Sequence, residues 1–170
     1  MKKLAALLLA LVLTLVCAAC GSPAQTVPDT IKGVTFDVPE GFTADKEGLW
    51  LADTYPVDGS NIMVQEASVD PGFSAYSEKT VAAAIEKQYK EQYDYDVTVS
   101  FDFFESVELN GVPGYRMALR YEMSGYNVYQ LEYVFSAKEN SYIVVFTDMN
   151  DGEKADAFAK AGETLKLTVE

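Results

Sequence analysis

The sequence predicts an α+β sandwich, in which an antiparallel sheet is covered by helices. Three observations lead to this class: segments of alternating apolar and polar residues recur along the chain, Asn110-Gly111 strongly favours a tight hairpin, and two stretches carry apolar residues at helical spacing. Strands joined by short turns pair antiparallel, and helices that flank them must bury their apolar stripes. Sheet and helices are therefore expected to pack in layers.

Seven segments are predicted to be strands. The first, 33–38, alternates apolar and polar residues and stops at Pro39-Glu40-Gly41, a sequence typical of a turn. The last four lie close together in sequence, as in a meander of consecutive antiparallel strands. The predicted strands after the first are 49–52, 61–69, 97–109, 112–123, 127–136 and 141–147.

Two helices are predicted on either side of the meander. The first covers about 77–93, where apolar residues recur every three or four positions. The second follows the last strand. Asn150 is predicted to be its N-cap, because Glu153 stands three residues later as in a capping box. The inner stripe of this second helix is predicted to be Ala155, Phe158, Gly162 and Leu165.

The hydrophobic pattern predicts the register of the strands around 119–131. A two-residue turn at Ser124-Gly125 would oppose Leu119 to Gln130, whereas a three-residue loop at 124–126 would oppose Leu119 to Leu131. Because a slip of one residue moves every side chain to the other face, the three-residue loop is predicted. The buried face would then carry Tyr115, Met117, Leu119, Tyr129, Leu131 and Phe135, and the other face Arg116, Arg120, Gln130 and Glu132.

The N-terminus resembles the signal peptide of bacterial lipoproteins. Lys2 and Lys3 precede an apolar run at 4–16, and the small residues Ala18-Ala19 stand directly before Cys20. This pattern predicts a signal at 1–19, lipidation of Cys20 with fatty acyl chains such as palmitate, and a tether at 20–30. The expected location is the cell membrane, on its extracytoplasmic face.

Two alternatives to this interpretation remain open. The apolar run could be an uncleaved membrane anchor, although it is shorter than the ~20 residues that a span needs. Ordinary secretion is the other. Cys17 is a poor acceptor because Leu15-Val16, directly before it, is bulky.

Composition excludes several classes of function. The whole chain has 13 basic and 26 acidic residues and no histidine. Lys2 and Lys3 belong to the predicted signal, so the remainder has 11 basic residues against 26 acidic ones, a net charge of −15. Such a surface repels nucleic acid and anionic lipid headgroups. Without histidine, Ser-His-Asp and Cys-His catalysis and Cys/His zinc sites are excluded.

The order of turns and strands is similar to that of PsbP-like domains. The residues at 33–42 resemble their opening strand and Pro-x-Gly-aromatic turn, those at 110–116 their central hairpin, and those at 142–146 their last long strand. The resemblance extends over about 31–170, and it is to the bacterial lipoprotein branch that includes DcrB-like proteins. It implies one domain, an α/β/α sandwich with a central antiparallel sheet, of a kind that mostly serves in binding or assembly.

Three groups of residues are candidate sites. The oxygen-rich segment 148–153 could hold calcium, but its spacing departs from the EF-hand and a helix start favours carboxylates in any case, so a cap is the preferred interpretation. A two-residue Asn110-Gly111 turn would oppose Arg116 to Glu105 and Arg120 to Phe101. These arginines could bind an anionic group or form cross-strand ion pairs. The tyrosines at predicted element ends are interface candidates: Tyr93, Tyr95 and Tyr126.

The function expected from these features is that of a lipid-anchored extracytoplasmic accessory protein that works by binding, without catalysis. The alternatives are a small-ligand carrier and a hydrolase that uses carboxylates alone. We expect a monomer that needs neither metal nor cofactor, is attached to the membrane through its lipid, and binds a protein or small-molecule partner of unknown identity.

Overall fold

The computed structural model describes residues 33–137 and 140–168. The predicted signal, Cys20 and the tether lie outside the described residues. The described chain forms a seven-stranded sheet, a two-stranded ribbon and two α-helices. The strands are β1 (Val34–Thr35), β2 (Phe42–Lys46), β3 (Leu49–Ala52), β4 (Asn61–Ser68), β5 (Ser100–Leu109), β6 (Val112–Met123), β7 (Tyr126–Ala137), β8 (Asn140–Asp148) and β9 (Lys166–Leu167).

The large sheet is antiparallel throughout, in the order β2-β3-β4-β8-β7-β6-β5. Strands were predicted in all seven segments, and the structure has one in each. It adds β2 and β9, which the sequence did not predict. β2 is a short edge strand with mostly polar residues, and β9 is two residues long and pairs with β1 at a distance of about 130 residues along the chain.

The helices cover opposite faces of the sheet. Helix α1 (Glu78–Tyr93) has Ser77 as its N-cap, whose hydroxyl accepts a hydrogen bond from the Thr80 amide, and the helix agrees with the predicted first helix. Helix α2 (Ala155–Glu163) packs on the other face, where Phe158 and Ala161 are buried. The predicted α/β/α sandwich is therefore confirmed.

Each face of the sheet has its own apolar core. The α1-side core includes Met63, Val81, Ile85, Tyr89, Met117, Leu119, Val134 and Val145. The α2-side core includes Trp50, Ile62, Leu131, Phe135, Val144, Phe146 and Phe158. A short 3-10 helix at Phe73–Ala75 leads into α1.

The predicted register between β6 and β7 is wrong. Met123 pairs with Tyr126 across a two-residue turn, so that Leu119 lies opposite Gln130 and Leu131 lies opposite Ala118. The prediction assumed that one face of the sheet is exposed, but helices bury both. The apolar sets of β6 and β7 can therefore point to opposite faces and both be buried.

This register changes the surroundings of several side chains. Tyr115, Met117 and Leu119 face α1, whereas Tyr129, Leu131 and Phe135 face α2. Gln130 and Glu132, which were expected on an exposed face, are buried in the structure. Gln130 has a partner there, since its amide donates a hydrogen bond to the Thr147 hydroxyl at 3.1 Å.

The predicted start of the second helix is also wrong. Asn150 and Glu153 lie in a turn ahead of α2, and the residue at the N-cap position is Lys154, whose side chain makes no capping hydrogen bond. The backbone amide of Lys154 instead donates to Oδ2 of Asp148 at 2.9 Å. The carboxylate of Asp148, at the end of β8, thus accepts the hydrogen bond that a capping side chain next to the helix would otherwise accept.

A methyl group at Gly162 should destabilise the protein. Gly→Ala within a helix ordinarily stabilises by ~0.5–1 kcal/mol. At Gly162 the added carbon would lie 2.7 Å from Cζ of Tyr133, so we expect Gly162→Ala to lower the free energy of unfolding by ~1–3 kcal/mol in urea denaturation. Adding Tyr133→Phe should restore part of the loss. A stabilised single variant would contradict this close packing of α2 on β7.

Candidate functional site

Four connecting segments lie together at one end of the large sheet. They are 53–60 between β3 and β4, 94–99 before β5, the turn 124–125 between β6 and β7, and 149–154 after β8. Their common position follows from strand register, because Asn61 pairs with Thr147 and Tyr129 pairs with Asp148. This part of the molecule, defined by the four segments and the residues that flank them, is called the four-loop end below.

The four-loop end carries exposed apolar side chains. Tyr55 and Val57 lie on the segment 53–60, Tyr93 ends α1, and Tyr126 begins β7. Val57 is 93% exposed, and the three tyrosines are exposed by 44–54%. These four are the exposed large apolar residues of the described chain. Their position at one end is typical of a surface that contacts another molecule.

Three cations at this end each bridge two carboxylates. Nζ of Lys90 lies 3.0 Å from Asp94 and 3.1 Å from Asp96. The other two bridges connect parts of the chain that are far apart in sequence. They are Arg120 with Asp102 and Asp151, and Lys154 with Asp58 and Asp148.

The Lys154 bridge is the most buried of the three. Its ammonium lies 2.8 Å from Oδ2 of Asp58 and 3.5 Å from Oδ1 of Asp148, and the Asp148 side chain is fully buried. Oδ1 of Asp148 also accepts hydrogen bonds from the Ser60 hydroxyl and the Asn150 amide. Burial is the largest single influence and acts to raise the pKa of Asp58, but the hydrogen bonds from Lys154 and Ser60 and the charge of Lys154 together outweigh it, so that this pKa lies below its ordinary value of 3.8.

Arg120 joins β5, β6 and the segment 149–154. Its Nε donates to both oxygens of Asp102, and its Nη1 donates to the backbone carbonyl of Asp151 at 3.0 Å. The guanidinium also lies 5.0 Å from the ring centre of Tyr129. The expected opposition of Arg120 to Phe101 is wrong: a bulge at Asp102 shifts the register and places Ser100 opposite Arg120.

Arg116 lies apart from the four-loop end. It is opposite Glu105, as the sequence predicted, and its guanidinium lies 4.7 Å from the ring centre of Phe103 and 5.9 Å from that of Tyr133. Its Nε is buried and has no hydrogen-bond partner among the described residues. The neighbouring rings belong to the face that α2 covers.

The structure therefore brings together four of the five residues predicted to bind a partner. Tyr93 and Tyr126 are exposed at the four-loop end, and the Tyr95 hydroxyl accepts a hydrogen bond from the Ser124 amide at 3.0 Å. Arg120 is there too, but Arg116 is not. Sequence reasoning missed Tyr55 and Val57, although two apolar residues within a turn-rich segment between strands were a usable signal.

The α1-side core contains a carboxyl that is buried without a charged partner among the described residues. Glu132 on β7 pairs with Met117 and Val145 in the α1-side core and is 1% exposed. Burial raises its pKa from the ordinary value of 4.5 to about 8. Its Oε1, and both polar atoms of the Gln88 side chain, have no hydrogen-bond partner within the described chain.

Neither a metal site nor a membrane span is found in residues 33–137 and 140–168. No three His, Cys, Asp or Glu side chains converge there as metal ligands, and Asp148 is instead bonded to Ser60, Asn150 and Lys154. No helix of this part of the chain is both long and apolar enough to cross a membrane.

Comparison with known structures identifies the fold. PsbP (CyanoP) from the cyanobacterium Synechocystis sp. PCC 6803 superposes over 89% of this chain and 98% of its own, with a TM-score of 0.55 and 11% sequence identity. The domain has a PsbP-like fold. This confirms the fold that the turns and strand order implied. No protein-family model and no curated protein matches the sequence.

A mycobacterial structure superposes less closely on this domain. LpqN of Mycobacterium tuberculosis, described as involved in cell envelope biogenesis, is 15% identical, and the match covers 84% of this chain and 86% of LpqN with a TM-score of 0.48. At this level of overlap the likeness adds nothing to the fold assignment.

Removal of the Lys154 ammonium should be costly. Lys154→Met would leave the buried Asp148 carboxylate without its cation, and we expect the free energy of unfolding to fall by about 3 kcal/mol. Lys87→Met is the matched control, because Lys87 pairs only loosely with exposed Glu91 at 3.6 Å and should change stability by less than ~0.5 kcal/mol. Equal effects of the two variants in urea denaturation would rule out a structural role for the Lys154 bridge.

Glu132 should make stability fall as pH rises. Its pKa of about 8 in the folded protein exceeds its ordinary value of 4.5, so between these values the folded state binds more protons than the unfolded state. The free energy of unfolding therefore falls as the pH rises through this range. Glu132→Gln, which is neutral at every pH, should remove this dependence. Melting temperatures from about pH 5 to about pH 9 should therefore diverge, with the wild type less stable at the alkaline end.

The control for this experiment is Glu122→Gln, since Glu122 is exposed and should follow the wild type at every pH. Wild-type and Glu132→Gln curves that run parallel across the range would show that Glu132 is not buried as a neutral acid.

Proposed function

We propose that this protein is a lipid-anchored extracytoplasmic accessory protein that acts by binding and has no catalytic activity. The observation that carries the binding role is the four-loop end, where exposed apolar side chains lie near carboxylates that form ion pairs with Lys90, Arg120 and Lys154. The anchor rests on the sequence: a basic start, a short apolar run and Ala18-Ala19 before Cys20.

The chemistry of the buried carboxylates supports binding over catalysis. A carboxylate-based hydrolase needs two carboxyls that face a common cleft, one of them with a raised pKa. Asp58 and Asp148 do converge, but on Lys154, and their oxygens accept several hydrogen bonds that hold them as fixed acceptors. The raised pKa belongs to Glu132, which lies in the core on the α1 side of the sheet.

The position of the first described residue fits an anchored domain. The site of a Cβ on Gly33 lies 3.3 Å from the Tyr142 ring, near the start of β8, whereas the four-loop end lies at the end of β8 near Asp148. Attachment through Cys20 would therefore hold the domain by one end and leave the four-loop end free for contact.

Replacement of Cys20 tests the anchor. Cys20→Ala should abolish labelling by radioactive palmitate, block processing and move the protein out of the lipid-anchored membrane fraction, because two or more acyl chains are needed for stable attachment. Cys17→Ala is the matched control and should be labelled and anchored as the wild type is. Palmitate that remains on the Cys20→Ala protein would disprove this assignment.

A further inference from the structure

We propose that the four-loop end is the docking surface for a protein with a basic surface, and that this partner contacts the domain on the side away from its anchor. This inference rests on the proposed function, because it names the surface and the partner chemistry of the binding role. Three independent features support it: position, exposed apolar area and charge.

Position comes first. From Tyr142 to Asp148, strand β8 runs six residues, which corresponds to roughly 20 Å. Gly33 lies beside Tyr142 and beside the Thr168 carbonyl, and the Asn110 amide at the same end donates to the Leu167 carbonyl at 3.0 Å. Segment 1–32 therefore joins the domain at the end opposite the four loops. A surface that touched the membrane would be expected at the end where segment 1–32 joins the domain, and not at the four-loop end.

The exposed apolar side chains are distributed across one end of the large sheet. In the order β4-β8-β7-β6-β5, four steps of about 4.8 Å separate the segment 53–60 from the segment 94–99, a width of roughly 20 Å. Tyr55 and Val57 lie on the segment 53–60 that leads into β4, Tyr126 begins β7 in the middle of this strand order, and Tyr93 ends α1 next to the segment 94–99. Tyrosine is enriched at protein interfaces because its ring packs and its hydroxyl bonds at the rim.

Charge decides the class of partner. The four segments contain six acidic residues and a single basic one, Lys154: the acids are Asp53, Asp58, Asp94, Asp96, Asp151 and Glu153. Lys90, Arg120 and Lys154 are each already shared between two carboxylates. Like charges juxtaposed at an interface are unfavourable, so a second copy of this acidic end or an anionic bilayer is disfavoured and a basic protein surface is favoured.

The loops are held in place before any partner binds. The Tyr95 hydroxyl accepts from the Ser124 amide, the Asp151 amide donates to the Asn127 carbonyl at 2.9 Å, and Lys154 joins 149–154 to 53–60. Because the loops are fixed to one another and to the sheet, docking loses little conformational entropy at this surface.

Site-specific crosslinking of the full-length protein in its own cells tests the proposal. The photoreactive residue p-benzoylphenylalanine is placed at Val57 or Tyr126 at the four-loop end, and at Glu47 or Glu108 at the opposite end as controls, all of which are exposed. We expect Val57 and Tyr126 to give one adduct of the same partner and the controls to give none of it. Mass spectrometry of the adduct should identify a protein, which should have a basic surface.

Charge reversal supplies the second arm. Glu122→Lys with Glu153→Lys at the four-loop end should lower the yield of the Tyr126 adduct at least fivefold, and Glu47→Lys with Glu108→Lys at the opposite end should leave it unchanged. All four glutamates are exposed, so the melting temperatures of both double variants should stay close to that of the wild type.

The outcomes separate the two proposals. An adduct from the control positions alone, an adduct with lipid or with a second copy, or a yield that survives charge reversal would overturn the docking surface while leaving the binding role intact. Absence of a protein adduct at all four positions, in cells where palmitate labels Cys20, would overturn both the docking surface and the binding role.

Discussion

Burial of both faces of one antiparallel sheet is the constraint on which the structure depends. The central strands must be apolar on both sides, and β8 is accordingly buried at every residue from Ser141 to Asp148. Each helix contributes only a few side chains to its core, so most of the apolar area comes from the strands themselves. The polar residues that remain inside, above all Glu132 and Asp148, must either find partners or stay neutral.

Local patterns in the sequence predicted the elements better than their pairing. Alternation, the Asn110-Gly111 turn and the helical spacing of apolar residues at 77–93 are decided by neighbouring residues, and the strands, hairpin and first helix follow from them. The register at 124–125 failed because alternation tells which residues share a face of one strand but does not tell how many faces are buried. Ser124 and Gly125 have φ of 52° and 84°, the left-handed conformation that two-residue hairpin turns prefer. The register is thus the one that this turn conformation favours, and not the one that places all the apolar residues of β6 and β7 on one face.

Some residues of the candidate site could be predicted from the sequence, but the contacts that bring them together could not. Tyrosines at the ends of elements could be recognised as interface candidates, and Tyr93 and Tyr126 are indeed exposed. The contacts that gather them are long-range: Lys154 and Asp58 are 96 residues apart, and Tyr95 and Ser124 are 29 apart. The start of α2 shows the same limit, because the carboxylate that receives its first amide comes from the preceding strand rather than from the residues at the cap.

The pairing of β1 with β9 gives the domain a mechanical property. Among the described residues, two residue pairs join β1 to β9, and the Thr168 amide donates to the Gly33 carbonyl at 2.7 Å. A force applied at residue 33 would first separate this ribbon and pull out the buried side chain of Val34, and then that of Phe36, whose ring packs on Trp50 and Phe146. Residues 33–41 could thus extend by about 30 Å before load reached the seven-stranded sheet. The ribbon would act as a weak link that lengthens under tension while the sheet keeps its shape.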